Sequence, residues 1–223
     1  MTSHQNDKHQ DELSPLTLVR LSLYLRHAML LENRGKTTVS SKELARRFSI
    51  SAALVRKDLG LLGGFGRRGV GYEIDVLKRG IRTGLGLTRT WRVAIVGAGR
   101  IGVALYKHKA PEQSGFEVIA IFDKFPQRSV GVRDEDLEVL PMAALPETVT
   151  QRSVDIGIIA VPGKSAQEAA DKLVEAGLRA ILNFAPAHIS VPEHVFVSNL
   201  DYTIYLEGLA HRLNRELNLT DPS

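Results

Sequence analysis

No cysteine occurs among the 223 residues, so disulfides, thiolate metal sites and thiol-based redox sensing are excluded by composition. Any redox response has to come through a bound cofactor. No apolar run reaches about 18 residues, and the polar opening of the chain lacks the apolar segment of a signal peptide. A cytoplasmic protein without a membrane partner is expected. The seven histidines form neither a His-x-x-x-His pair nor an HExxH pattern, so no metal site is expected either. There is no internal repeat.

What is present is enough apolar material, 43% of 223 residues, for two domains with real cores. The net charge of +4 is unevenly divided. Residues 15–90 hold fifteen Lys or Arg against five Asp or Glu, whereas residues 91–223 hold thirteen against seventeen. A basic block of that size favours a polyanion, because each phosphate it neutralises releases condensed counterions.

Residues 1–13 are rich in His, Gln, Asp and Lys without periodicity and read as a disordered leader. Ser14-Pro15 then supplies a capping hydroxyl followed by proline at the first helical position. Leu18, Leu21, Leu25 and Met29 recur at helical spacing up to Gly35. Ser40 and Glu43 make a capping box for a short helix over 42–48, and Ser51 caps a third helix carrying Leu54, Val55, Leu59 and Leu62. Two short helices so closely joined are a helix-turn-helix signature. The glycine-rich stretch 63–72, with Arg67 and Arg68 near its tip, resembles the wing of a winged-helix domain. Residues 14–87 are therefore read as a winged-helix DNA-binding domain, closed by a helix over 75–87 that contains Gly80 and Gly84. The candidate DNA contacts are Ser51, Leu54, Arg56 and Lys57 on the third helix and Arg67 and Arg68 on the wing. Arg56 and Lys57 can read guanine edges or hold phosphates, and both roles stay open. Arginines on a wing tip suit a narrow A·T-rich minor groove.

From Trp91 the pattern changes to short apolar strands alternating with helices. Strand candidates are 92–96, 117–122, 155–161, 180–184 and 195–197. Their unbroken apolar character argues for a parallel sheet covered on both faces, the doubly wound α/β arrangement of a Rossmann domain, over 90–200. The run Gly97-Ala98-Gly99-Arg100-Ile101-Gly102 follows the first strand and opens a helix. In such a unit the first glycine allows the tight turn, the second lets amides approach a pyrophosphate, and the third allows close helix packing. Asp123, twenty-one positions beyond Gly102, ends the second strand, where a carboxylate accepts a ribose 2′-hydroxyl and repels a 2′-phosphate. NADH or NAD+ is thus the expected cofactor, with Lys124, Val161 and Pro162 as further candidate contacts. Ser165 and Glu168 form a second capping box, for a helix that stops at Gly177. His188 and His194 are candidate proton donors for a dehydrogenase, but no substrate domain remains to position a reactant, so structural or surface roles are expected and an enzyme is not. An NAD-dependent oxidoreductase tethered to DNA and a module for another adenine nucleotide, such as coenzyme A, are the alternatives. Residues 201–219 place Ile204, Leu206, Leu209, Leu213 and Leu217 roughly on one side of a final helix that needs a partner surface.

With these elements in this order the chain resembles the Rex family of bacterial redox-sensing transcriptional repressors. The resemblance spans residues 14–218 and is most specific at Tyr24-Leu25-Arg26, Val55-Arg56-Lys57-Asp58-Leu59, Arg68-Gly69-Val70-Gly71-Tyr72, Gly97 to Gly102, and Ile181-Leu182-Asn183-Phe184-Ala185-Pro186. It implies a homodimer that represses transcription on double-stranded operator DNA and is released by NADH, with each C-terminal helix swapped onto the other subunit. It also implies switch residues: Arg26 on the first helix, Asp201 pairing with it across subunits, and Tyr202 reaching towards the partner's nicotinamide pocket. Six residues past the third fingerprint glycine, where the family commonly has tyrosine, this chain has His108.

Overall fold

The computed structural model describes residues 13–64, 66–67, 69–107, 115–128 and 138–217. The chain divides into two units, Met1–Arg89 and Thr90–Ser223.

The first unit is built on helix α1 (Pro15–Asn33), whose start is made by the Ser14 hydroxyl accepting the Thr17 amide at 3.2 Å, with Pro15 entering the first turn. Leu13, placed in the leader by its polar neighbours, instead packs against the core of this unit. Two short helices follow, α2 (Ser41–Phe48) and α3 (Ala52–Gly60), capped as expected by the hydroxyls of Ser40 and Ser51. Glu43 is held below the usual carboxylate range, first by the Lys36 ammonium at 2.6 Å and further by the Ser40 backbone amide of the capping box. The turn between the helices runs through Ser49, whose φ of 55° lets the chain reverse at once. Strands β1 (Thr38–Val39) and β2 (Tyr72–Glu73) pair antiparallel and anchor the glycine-rich hairpin against the start of α2. Helix α4 (Ile74–Gly84) is shorter than its sequence pattern and is closed by the Arg82 guanidinium donating to the Leu87 carbonyl at 2.8 Å. Leu21, Tyr24, Leu25, Ala28 and Leu31 of α1 meet Leu44, Val55, Leu59, Leu77 and Ile81 in one core. Each such large side chain contributes about 1.5–3 kcal/mol by leaving water.

His27 borders this core, edge-on to Phe48 with ring centroids 5.8 Å apart. Burial, and then the Arg47 charge, lower its pKa from the ordinary value of 6.5. Below that value the unfolded chain binds the proton more readily than the folded one, so stability is full above it and falls on acidification. In melting curves the loss of stability of this unit between pH 7.5 and 5.5 is expected to be smaller in His27→Gln than in the wild type. An equal loss in both proteins rules His27 out as a contributor.

The second unit contains strands β3 (Trp91–Val96), β4 (Phe116–Asp123), β5 (Val139–Pro141), β6 (Ile156–Ile159), β7 (Ala180–Asn183) and β8 (Phe196–Asn199). Its helices are α5 (Arg100–Lys107), α6 (Leu145–Gln151), α7 (Ala166–Glu175) and α8 (Thr203–Glu216). All six strands are parallel, in the order β5-β4-β3-β6-β7-β8. Counted from β3 this is 3-2-1-4-5-6, the Rossmann order, with its switch point between β3 and β6. Ala94 and Val96 face one core layer and Ile95 the other, which is why the strand shows no polar alternation. The edge strand β5 escapes a sequence reading because it has only three residues, partly exposed and ended by proline.

Two expectations change. The second capping box does not form: Ser165 makes no cap hydrogen bond at the start of α7, and Glu168 pairs with Lys172 at 2.8 Å instead. The last helix begins at Thr203 rather than at residue 201, and every residue from Ser198 to Leu217 is exposed.

Candidate dinucleotide cleft and nucleic-acid interface

A cleft of about 270 Å³ opens at the carboxyl ends of β3, β4 and β6, beside the switch point, where ligands bind in open parallel sheets. Gly97, Asp123, Lys124, Val161 and Pro162 line it together with Val96, Phe125, Met142, Ser165, Glu168, Ala169 and Lys172. The three fingerprint glycines have different reasons to be glycine. Gly97 has a φ of +108° and its Cβ would lie 2.6 Å from the Ala160 carbonyl oxygen, so the turn itself demands it. At Gly102 a Cβ would stand 1.8 Å from the Gly97 carbonyl oxygen, which is the close packing of α5 on the turn. At Gly99 a Cβ would meet nothing within 4 Å. The free space there faces the start of α5, where unpaired amides favour an anion.

The Asp123 carboxylate accepts the Ala98 amide and the Phe125 amide, one on each oxygen and both at 2.8 Å. It thereby fixes the fingerprint turn, and a carboxylate has lone pairs left for ribose hydroxyls. Ala98 is buried behind the turn, whereas Arg100 and Ile101 are exposed on the first turn of α5 and form no part of the cleft wall. The wall residues that sequence reasoning missed come from the end of β3 (Val96), from the segments after β4, β5 and β6 (Phe125, Met142 and Ser165) and from α7. Ser165 and Glu168 read as a cap only because their spacing matched one; the first turn of α7 leaves a switch-point strand and so faces the cleft. Glu168 is held below the usual carboxylate range by its hydrogen bond to Lys172, with a smaller effect from the Lys124 charge.

In the first unit, Arg56 and Lys57 are exposed on α3, Leu54 is half-buried, and the Ser51 hydroxyl accepts the Leu54 amide at 3.1 Å. The Arg56 guanidinium donates to the Ser41 hydroxyl at 3.2 Å, across a groove bounded by residues 40–42, α3 and the hairpin. Arg67 closes that hairpin with reciprocal backbone bonds to Gly71 of 2.9 and 3.0 Å, and its side chain stays largely exposed beside Glu73. Arg68 lies outside the described residues, as does His108. Arg26 is exposed on the outer face of α1. Asp201, also exposed, accepts the Thr203 hydroxyl at 2.7 Å and the Thr203 amide at 2.9 Å, which lower its pKa in that order. Tyr202 is 68% exposed and lines no part of the cleft of its own chain. His188 and His194 are exposed and line no part of the cleft either. No cluster of three metal-ligating side chains occurs among the described residues, and no helix there is long and apolar enough to cross a membrane.

Residues 12–60 match a family model described as a putative DNA-binding protein N-terminus, and residues 88–187 match one described as a CoA binding domain. The redox-sensing transcriptional repressor Rex of Pelotomaculum thermopropionicum is 43% identical over 197 residues, which is 88% of this chain and 92% of that one. The chain belongs to the Rex family. Two crystal structures of RSP, a Rex-family repressor, match it at a TM-score of 0.82. One, in complex with β-NAD+ and operator DNA, is 35% identical and covers 92% of this chain and 94% of its own; the other, in complex with β-NADH, is 33% identical and covers 91% and 95%. The Rex architecture accounts for both units: an N-terminal DNA-binding domain followed by a Rossmann-like sheet. It makes this chain a redox-sensing transcriptional repressor, a regulator by family.

Proposed function

We propose that the protein binds a palindromic operator as a homodimer in the cytoplasm, that NADH releases it, and that NAD+ occupies the same cleft without releasing it. The observation that carries this reading is the likeness, at a TM-score of 0.82, to one repressor crystallised both with β-NAD+ on operator DNA and with β-NADH. The fingerprint glycines, Asp123, Lys124, Val161 and Pro162 hold the dinucleotide. The first unit of each subunit presents α3 to the major groove and its wing, with Arg67 and Arg68, to the minor groove. NADH can shift the protein off DNA only by binding the released arrangement better than the operator-binding one. The nicotinamide ring is neutral when reduced and positive when oxidised, so a largely apolar pocket closed by the partner's Tyr202 tells the two apart. Asp201 is ionised and already fixed by Thr203, which suits it to pair with Arg26 of the other subunit in one of the two states. His108 takes the tyrosine's place in that exchange. The cleft serves as a sensor of the dinucleotide, a reading supported by the Rex family being one of repressors; neither His188 nor His194 lines it.

In a mobility-shift titration, saturating NADH is expected to abolish the operator complex while equal NAD+ leaves it intact. Operator binding indifferent to saturating NADH would end this reading. The match to a CoA binding domain over residues 88–187 favours a second one, coenzyme A as the nucleotide. Calorimetry with the three ligands separates them, with NADH expected to bind most tightly.

A further inference from the structure

The consecutive residues Arg56, Lys57 and Asp58 part company on α3: the two cations are exposed, whereas Asp58 is 1% exposed. Its carboxylate is clasped by α1. Arg20 Nε donates to Oδ2 and Arg20 Nη2 to Oδ1, both at 2.7 Å, and the Tyr24 hydroxyl donates to Oδ2 at 2.9 Å. Arg20 Nη2 also donates to the Thr17 hydroxyl at 3.0 Å, which lies 2.9 Å from that of Ser14. A polar cluster, buried at Asp58, Tyr24 and Thr17, half-buried at Arg20 and exposed at Ser14, therefore runs from the first turn of α1 to the middle of α3, with every member bonded. Burial, and then the bond to Asp58, push the Tyr24 pKa up, so its hydroxyl keeps its proton and remains a donor.

Apolar contacts such as those of Val55 and Leu59 with α1 hold α3 in place but fix its roll only coarsely, because they have no direction. A bidentate fork fixes it more closely, since both guanidinium bonds are satisfied at only one orientation of the carboxylate. Successive helical residues are about 100° apart, so a carboxylate turned inward at position 58 aims residue 56 about 200° away, outward. Contacts to base edges tolerate only about 0.5 Å of misplacement.

We propose that Asp58, held by Arg20 and Tyr24, is a positioning residue for reading the operator. It sets the roll of α3 and thereby the discrimination between operator and other DNA, beyond what it adds to stability. This rests on the operator-binding reading given above.

The test separates positioning from stability by restoring one without the other. Replacing a buried ion pair by apolar residues of similar volume commonly preserves stability. The full-length Arg20→Met, Tyr24→Phe, Asp58→Leu protein is therefore compared with the wild type on a duplex that the wild type enriches from a random pool, and on an unrelated duplex. Melting close to wild type with a ratio of operator to unrelated affinity lowered at least about tenfold is the expected result, with NADH affinity unchanged. A folded variant with an unchanged ratio overturns the proposal. Should the triple variant not fold, Tyr24→Phe and Asp58→Asn are measured at a temperature where circular dichroism shows both native, and an unchanged ratio in both is equally decisive against it. A wild-type protein that enriches no duplex overturns the operator reading itself and this inference with it, an outcome distinct from wild-type enrichment with an unaltered ratio in the variants.

Discussion

Gly102→Ala is expected to destabilise the C-terminal unit by about 3 kcal/mol or more, lowering its melting temperature by roughly 10 °C, whereas Gly99→Ala leaves stability within about 0.5 kcal/mol of wild type and weakens NADH at least about tenfold. The two positions lie three residues apart in one turn, yet their surroundings differ. A methyl group at Gly102 would sit 1.8 Å from the Gly97 carbonyl oxygen and 3.3 Å from Ile95 Cγ2. Both belong to the end of β3 or the turn after it, so α5 would have to lift from the sheet. At Gly99 the methyl group meets open space, and the lost backbone freedom of the unfolded chain even favours the folded state slightly. In the dinucleotide-binding arrangement proposed above, what that methyl group obstructs is a phosphate approaching the amides at the start of α5. Calorimetric melting with NADH titration checks both variants, and a Gly99→Ala protein that binds NADH normally removes the argument that this space is kept for the pyrophosphate.

The second large effect concerns α8. A chain ending at Leu200 is expected to sediment as a monomer and to lose operator affinity by about a hundredfold or more, because each half-site then binds without the effective concentration that a dimer supplies. Helix α8 has 14 residues, and helices shorter than about 12–15 residues are marginal in water without a surface to pack on. Tyr202, Leu206, Leu209, Leu213 and Leu217 recur at helical spacing and are each between 54% and 68% exposed, an apolar stripe that the described chain leaves uncovered, whereas Ile204, two residues before Leu206 and so about 200° from it, falls outside this stripe. A truncated protein that still dimerises and holds its operator as tightly as the full chain would falsify the assignment of the dimer contact to α8.

The parts of the molecule that sequence reading caught are those decided within a few residues. Ser14, Ser40 and Ser51 cap their helices because a hydroxyl and the amide three residues on are neighbours in any helical start. The Gly97 to Gly102 turn and its strand are equally local. The place of Asp123 beside the fingerprint turn is legible because its distance from the glycines is set by one helix and one strand. Reading failed where spacing imitated a local device, as at Ser165 and Glu168, or where an element was too short to show a period, as in β5.

The chain by itself determined the two-part plan, the basic first unit, the freedom from thiol chemistry and the nucleotide fingerprint, since composition and short-range geometry suffice for these. Only the tertiary structure decided that Asp58 is no part of an exposed charge cluster but is clasped by Arg20, 38 residues earlier, and that Met142, Phe125 and Lys172 share a wall with Gly97. Such pairings depend on how helices and strands far apart in the chain pack their apolar faces, and no periodicity along the sequence records which polar groups that packing brings together.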